Sequence, residues 1–263
     1  MRPWFFWLLL VLIPAASLAQ AVEKPPSVPE AKQAFGVADE ELNDLWKRLK
    51  RALSEWDYEP LLSDQRNWIE YRDQRALTDA TFNGGATFLD REKESVYYWD
   101  SLTWNTENRL RILSAWLAMA EDEADIPWEG VWQDDFGGTL YLFIRDQVAG
   151  QPTRLPEIEF EIAVVRGPTY HMGAIEGVAR LNGNTAFFTD GGSHPLDEWE
   201  ETWLIFDKHS SHPTMEVRGV NTGGYHGARA YFDGTYTRVE PMTDELRERI
   251  QKRDTESLLT GEE

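Results

Sequence analysis

The feature that most constrains this chain is a change of hydrophobic period near its middle. Up to about residue 120, apolar side chains recur at spacings of three and four. From residue 130 they alternate, or form short runs bounded by Gly, Asn, Asp and Pro. The first pattern puts apolar groups on one face of a helix and the second puts them on one face of a strand. The chain is therefore expected to be α+β: an N-terminal antiparallel helical bundle followed by an antiparallel β-barrel-like domain. The acidic stretch at 121–129, which contains Pro127, is the expected linker.

Within the helical half, Leu61, Gln65, Trp68, Ile69 and Arg72 share one face, with Pro60 suited to a first turn. Residues 39–56 form a second amphipathic helix, with Leu42, Leu45, Trp46, Leu49, Leu53 and Trp56 on one stripe and Asp39 as cap. A short connection at 57–59 would make the two an antiparallel hairpin. Residues 78–89 break the pattern, with Asn83-Gly84-Gly85 supplying a reversal. A third helix is expected over about 90–120, interrupted near 101–105. Arg109 within it is expected to pair with a carboxylate such as Asp73 or Glu70.

In the second half, strands are expected at 130–133, 139–145, 158–166, 174–181, 185–189, 202–207, 215–220 and 230–239, with Asn182-Gly183 as a hairpin signal. Eight short strands without intervening helices suggest a closed barrel or sandwich, and the opening Gly130-x-Trp132 resembles the first strand of lipocalin-like barrels. Residues 130–241 form this domain. Residues 242–263 are a short helix, with Thr243 as cap, and a polar tail.

The N-terminus reads as an export signal at residues 1–19. Arg2 precedes an apolar run from Trp4 to Ile13, and Ser17-Leu18-Ala19 offers small residues for cleavage. The run is too short for a stable span. Residues 20–37, rich in Pro, are expected to be a flexible leader, and 38–120 the helical domain. With no cysteine, an exported chain must stand on its core without disulfides, and 12 tryptophans supply material for that core. The expected location is periplasmic or secreted. The formal charge of −20 is spread over both halves. It disfavours nucleic acid and anionic lipid surfaces and would steer a basic partner.

The blocks LNDLWKRLKRAL and QRNWIEYRD resemble the N-terminal helical domain of LprI-type lysozyme inhibitors. The resemblance continues through Gly84-Gly85 to Thr106-x-x-Arg109 and covers roughly 38–118. It implies a non-enzymatic protein that binds, and blocks, a muramidase. The family-like positions Gln65, Arg66, Trp68, Tyr71, Arg72, Gly84, Gly85 and Arg109 are the candidate partner-binding residues. The cysteine pairs usual in that family have no counterpart here. The β half resembles the domain often fused behind such helices, at Gly177-Val178-Ala179, Ala186-Phe187-Phe188, residues 203–206 and residues 227–238.

Other chemistry is weakly represented. There is no Gly-x-Ser-x-Gly, His-Glu-x-x-His, P-loop or dinucleotide fingerprint, and no cysteine nucleophile. His209 and His212 with His226 would make a zinc site only if an acidic ligand joined them, and two His in a polar loop are more often solvated. No cofactor, metal or catalytic set is expected. The alternative function is a small-ligand or glycan-binding envelope protein acting through the barrel, where Trp199, Trp203, Phe206, Tyr225, Tyr231, Phe232 and Tyr236 would either line a lumen or fill it.

Overall fold

A computed structural model describes residues 26–121, 126–145, 155–167, 169–191 and 201–250. The proposed export signal, residues 122–125 of the linker and residues 251–263 lie outside these residues. Three α-helices, α1 (Val28–Ala52), α2 (Glu55–Gly84) and α3 (Val96–Glu121), precede eight strands. No helix among the described residues is long and apolar enough to cross a membrane.

Helix α1 starts within the expected leader. The Glu30 carboxylate accepts from the Ser27 N–H at 2.7 Å and from its hydroxyl at 2.6 Å, so Ser27 caps the helix and Pro29 sits harmlessly in the first turn. Its stripe Leu42, Leu45 and Leu49 packs into one cluster with Leu61 and Trp68 of α2 and Leu110, Leu113, Trp116 and Leu117 of α3.

Helix α2 begins earlier than Pro60. Ser54 is its cap, accepting from the Asp57 N–H at 3.3 Å, and Pro60 lies inside the helix. That close to the N-terminus proline forfeits a single backbone bond. The connection is therefore Leu53-Ser54, and Trp56 stands on α2 at 89 % exposure instead of on the α1 stripe. The helix runs on through Thr78 and Thr81, whose hydroxyls bond back to carbonyls three and four residues earlier. Residues 78–84, expected to break the pattern, thus continue the helix, which ends at the expected reversal with Gly85 at φ +92°.

Helix α3 has no interruption. Its polar residues bond to its own backbone: Asn105 donates to the Ser101 carbonyl at 2.7 Å and Thr106 to that of Leu102 at 2.7 Å. It also packs on both other helices. Helices α1 and α2 run antiparallel and meet through longer side chains, Arg72 reaching Asp39 at 3.3 Å and Trp46 lying 5.6 Å from Tyr58.

The strands are β1 (Gly130–Gln133), β2 (Gly138–Ile144), β3 (Glu157–Arg166), β4 (His171–Asn182), β5 (Thr185–Thr189), β6 (Trp203–Lys208), β7 (Thr214–Val220) and β8 (Gly234–Glu240). Each pairs antiparallel with the next and β8 returns to β1, closing an up-and-down barrel. The last strand is shorter than expected, because Ala230 and Phe232 fold inward before it begins. The β4–β5 hairpin pairs Asn182 with Thr185, so its turn residues are Gly183-Asn184, with Gly183 at φ +63°.

Strand β3 alternates strictly, with every second residue buried. The inward set includes Trp132, Leu140, Ile162, Phe206, Phe232 and Tyr236, all at 0 % exposure. Phe160 packs against Phe188 and Phe206, each at 5.1 Å. An eight-strand barrel is just wide enough for its own side chains. Phe206, Phe232 and Tyr236 belong to the filling of this one; Tyr231 faces out at 48 % exposure, and Trp199 lies outside the described residues. After the barrel, residues 244–250 are helical and Thr243 is the cap, accepting from the Leu246 N–H at 3.2 Å.

Candidate functional site

The β1–β2 turn is built to project one carboxylate at the helices. Asp134 folds back onto it, Oδ1 accepting from the N–H groups of Phe136 at 2.9 Å and Gly138 at 2.6 Å. Its Oδ2 pairs with Arg166 Nη1 at 2.5 Å. Gly137 takes φ +92°, and a Cβ there would lie 2.5 Å from the Val165 carbonyl oxygen. This arrangement leaves Asp135 pointing away from the barrel.

Asp135 meets Arg109. The guanidinium, at 0 % exposure, donates from Nη1 to Asp135 at 2.5 Å, from Nη2 to Asp64 at 2.7 Å and from Nε to Gln65 at 2.7 Å. It lies 5.5 Å from the ring centre of Trp68. One side chain of α3 thus ties α2 to the barrel. Burial pushes the Asp135 carboxyl up to about 6; Arg109 pulls it down, and the nearby Asp64 and Asp134 push it up. Arg109 stays charged, its pKa raised because the two aspartates outweigh the burial that would lower it.

A second knot crosses the same seam. Asp79 accepts from Arg75 at 3.0 Å, from the Tyr170 hydroxyl at 2.7 Å and from Ser101 at 2.7 Å. Arg75 also donates to the Gly167 carbonyl at 2.7 Å and stacks 4.3 Å from the Tyr170 ring centre. At the other end of the seam His212 meets Asp57 at 2.9 Å.

Between these knots lies a cleft of about 580 Å³, walled by α2, α3 and the β1–β2 turn. Tyr71 lines it from α2, standing edge-on to Phe136 at 4.9 Å. Tyr97, Asp100, Trp104 and Asn108 line it from α3, and Gln133 and Thr139 from the barrel.

The candidate residues fall into three groups. Gln65, Trp68, Arg72 and Arg109 are buried, at 9 % exposure or less, and hold the fold. Arg109 pairs with Asp64 and Asp135 and not with Asp73 or Glu70. Asp73 is taken by Arg72 at 3.0 Å, and the antiparallel register of α2 and α3 brings the earlier turn of α2 to Arg109. Gly84 and Gly85 end α2; a Cβ on Gly84 would lie 2.9 Å from Phe88. Tyr71 opens on the cleft, and Arg66 is exposed.

Sequence reasoning missed Asp64, Arg75, Asp79, Asp135 and Tyr170 as parts of the seam. Arg75 and Asp79, four apart on a helix, carried the one local signal. His209 and His212 stack with ring centres 4.0 Å apart, while His226 packs on Phe232. The three do not converge, and no group of three or more metal-ligating side chains occurs among the described residues.

A cysteine-free helical bundle, bolted by arginine–aspartate knots to a filled antiparallel barrel, defines the architecture. Residues 29–113 match the family described as Lysozyme inhibitor LprI, in agreement with the resemblance read from the sequence, and this match falls within the helical half and short of the barrel. No curated protein and no solved structure matches the chain.

Proposed function

We propose that this is an exported, non-enzymatic binding protein that captures a basic muramidase and occludes its substrate cleft. The observation that carries the reading is the family match over residues 29–113. The charge of −20 adds to it, because an acidic surface accelerates encounter with a basic enzyme. Asp79, Asp134 and Asp135 in the cleft are each held by an arginine. This argues against the two free, opposed carboxylates that glycoside hydrolysis requires.

The contact surface must be other than the buried positions Gln65, Trp68, Arg72 and Arg109. Arg66, on the outer side of α2, is the exposed member of the family-like set. The test is lysis of bacterial cell walls by a basic lysozyme with the mature protein titrated in, at low and at physiological salt. Stoichiometric inhibition that weakens with salt is expected. Unimpeded lysis at both ionic strengths with a panel of basic lysozymes would overturn the proposal.

A further inference from the structure

The cleft supports an assignment that does not depend on muramidase binding. Its ionised groups largely neutralise one another: Arg75 is on Asp79, Arg109 on Asp64 and Asp135, and Arg166 on Asp134. No arginine of this set is left to receive an anion. A second cation would meet Arg75 and Arg109 in the cleft walls, against the single unpaired carboxylate of Asp100. The site therefore favours a neutral ligand.

What the cleft offers such a ligand is aromatic faces and polar acceptors. Tyr97 and Trp104 line it while remaining 44 % and 57 % exposed. Seven positions apart on α3, they lie on one stripe about 10 Å apart along the axis. Large exposed aromatic rings at a cleft are costly to leave in water and mark a surface that a ligand covers. Asn108 follows Trp104 by one turn on the same stripe. At the floor, Gln133 Oε1 and Asp135 Oδ1 are buried without a hydrogen-bond partner, two acceptors short of a donor. The volume of about 580 Å³ lies within the range of small-ligand sites.

One chemical class presents apolar faces and hydroxyl donors together without net charge. A pyranose ring lays its C–H face on an aromatic ring and turns its hydroxyls to planar amides and carboxylates. We propose that this cleft is a saccharide-binding site, taking a short neutral oligosaccharide with ring faces on Trp104 and Tyr97 and hydroxyls on Asn108, Asp100 and Gln133.

The test is calorimetric titration of the full chain with two neutral probes, the β-1,4-linked tetramer of N-acetylglucosamine and cellotetraose, with spermidine as a cationic control. Binding of at least one tetrasaccharide with a Kd of about 1 mM or tighter is expected. Trp104→Ala and Tyr97→Ala should each weaken it at least about tenfold without changing the melting temperature, because both side chains are exposed. The proposal is overturned if neither tetrasaccharide binds, if binding survives Trp104→Ala unchanged, or if spermidine alone binds. Lysozyme inhibition enters none of these outcomes, so either reading can fail while the other stands.

Discussion

Replacing Arg109 by Met would test whether the bundle and barrel are held by the charge knot. Methionine keeps the length and apolar bulk and removes every donor. The partners differ in what they lose. The Asp64 side chain is 45 % exposed and can turn to water, whereas that of Asp135 is 13 % exposed and Gln65 is buried. Breaking a buried pair from one side costs about 3–5 kcal/mol, because the remaining charge stays desolvated. Most of that cost falls on Asp135. Its folded pKa is raised by burial to about 6 even with Arg109 present, and losing Arg109 raises it further. A raised folded pKa means the folded state binds the proton more tightly, so stability from this group is present in acid and is lost as pH rises through that value. The Arg109→Met deficit should therefore be near 4 kcal/mol at pH 7.5, within the ~3–5 range above, and clearly smaller at pH 5. Adding Asp135→Asn should recover much of it at pH 7.5 by removing the stranded charge. Urea unfolding of the parent, single and double variants at both pH values measures this. A deficit under about 1 kcal/mol, one that grows in acid, or no recovery in the double variant would refute the reasoning.

Two further outcomes follow from local geometry. Gly137→Ala should destabilise the protein by about 1–3 kcal/mol, because the position holds φ +92° and its Cβ would strike the Val165 carbonyl; thermal unfolding reads this, and a neutral result would contradict it. Burial, and secondarily His212, hold the His209 pKa below its usual 6.5, so the unfolded chain takes its proton first and stability should fall as pH drops through that value; melting curves of His209→Asn between pH 8 and 5 should show a shallower decline.

The period change alone located the barrel, because strand alternation is a local property of the sequence. Strand ends agree to within a few residues, except for β8. The start of α1 was missed for a different reason. Pro25, Pro26 and Pro29 read as a leader, although Ser27 and Glu30 stand at capping-box spacing. The continuity of α3 was hidden by Ser101, Asn105 and Thr106, whose polar groups are satisfied by the helix itself and by Asp79. Arg109 stood out as a charged residue among apolar ones, but its partners did not. Asp64 comes to it through helix register and Asp135 through the seating of the β1–β2 turn against the helices, and neither depends on nearby sequence. The cleft was illegible for the same reason: its three walls meet only in the folded chain.

Closure of the barrel also sets an order of events. Val131 pairs with Glu240, so the first strand cannot complete its hydrogen bonding until the last has been added. Contacts that distant in sequence form late and slowly, whereas the helices can form early from local contacts. A chain lacking β8 would hold a finished α1–α3 bundle beside an open sheet, with the β1 edge unpaired and Trp132 uncovered. Such a species invites edge-to-edge association. Arg109 is already matched by Asp64 and Gln65 of α2, and the β1–β2 hairpin that carries Asp135 is local, so this contact does not wait for the far end of the chain. Docking of the two halves through Asp135 and Tyr170 needs only the first four strands, whereas closure waits for the eighth.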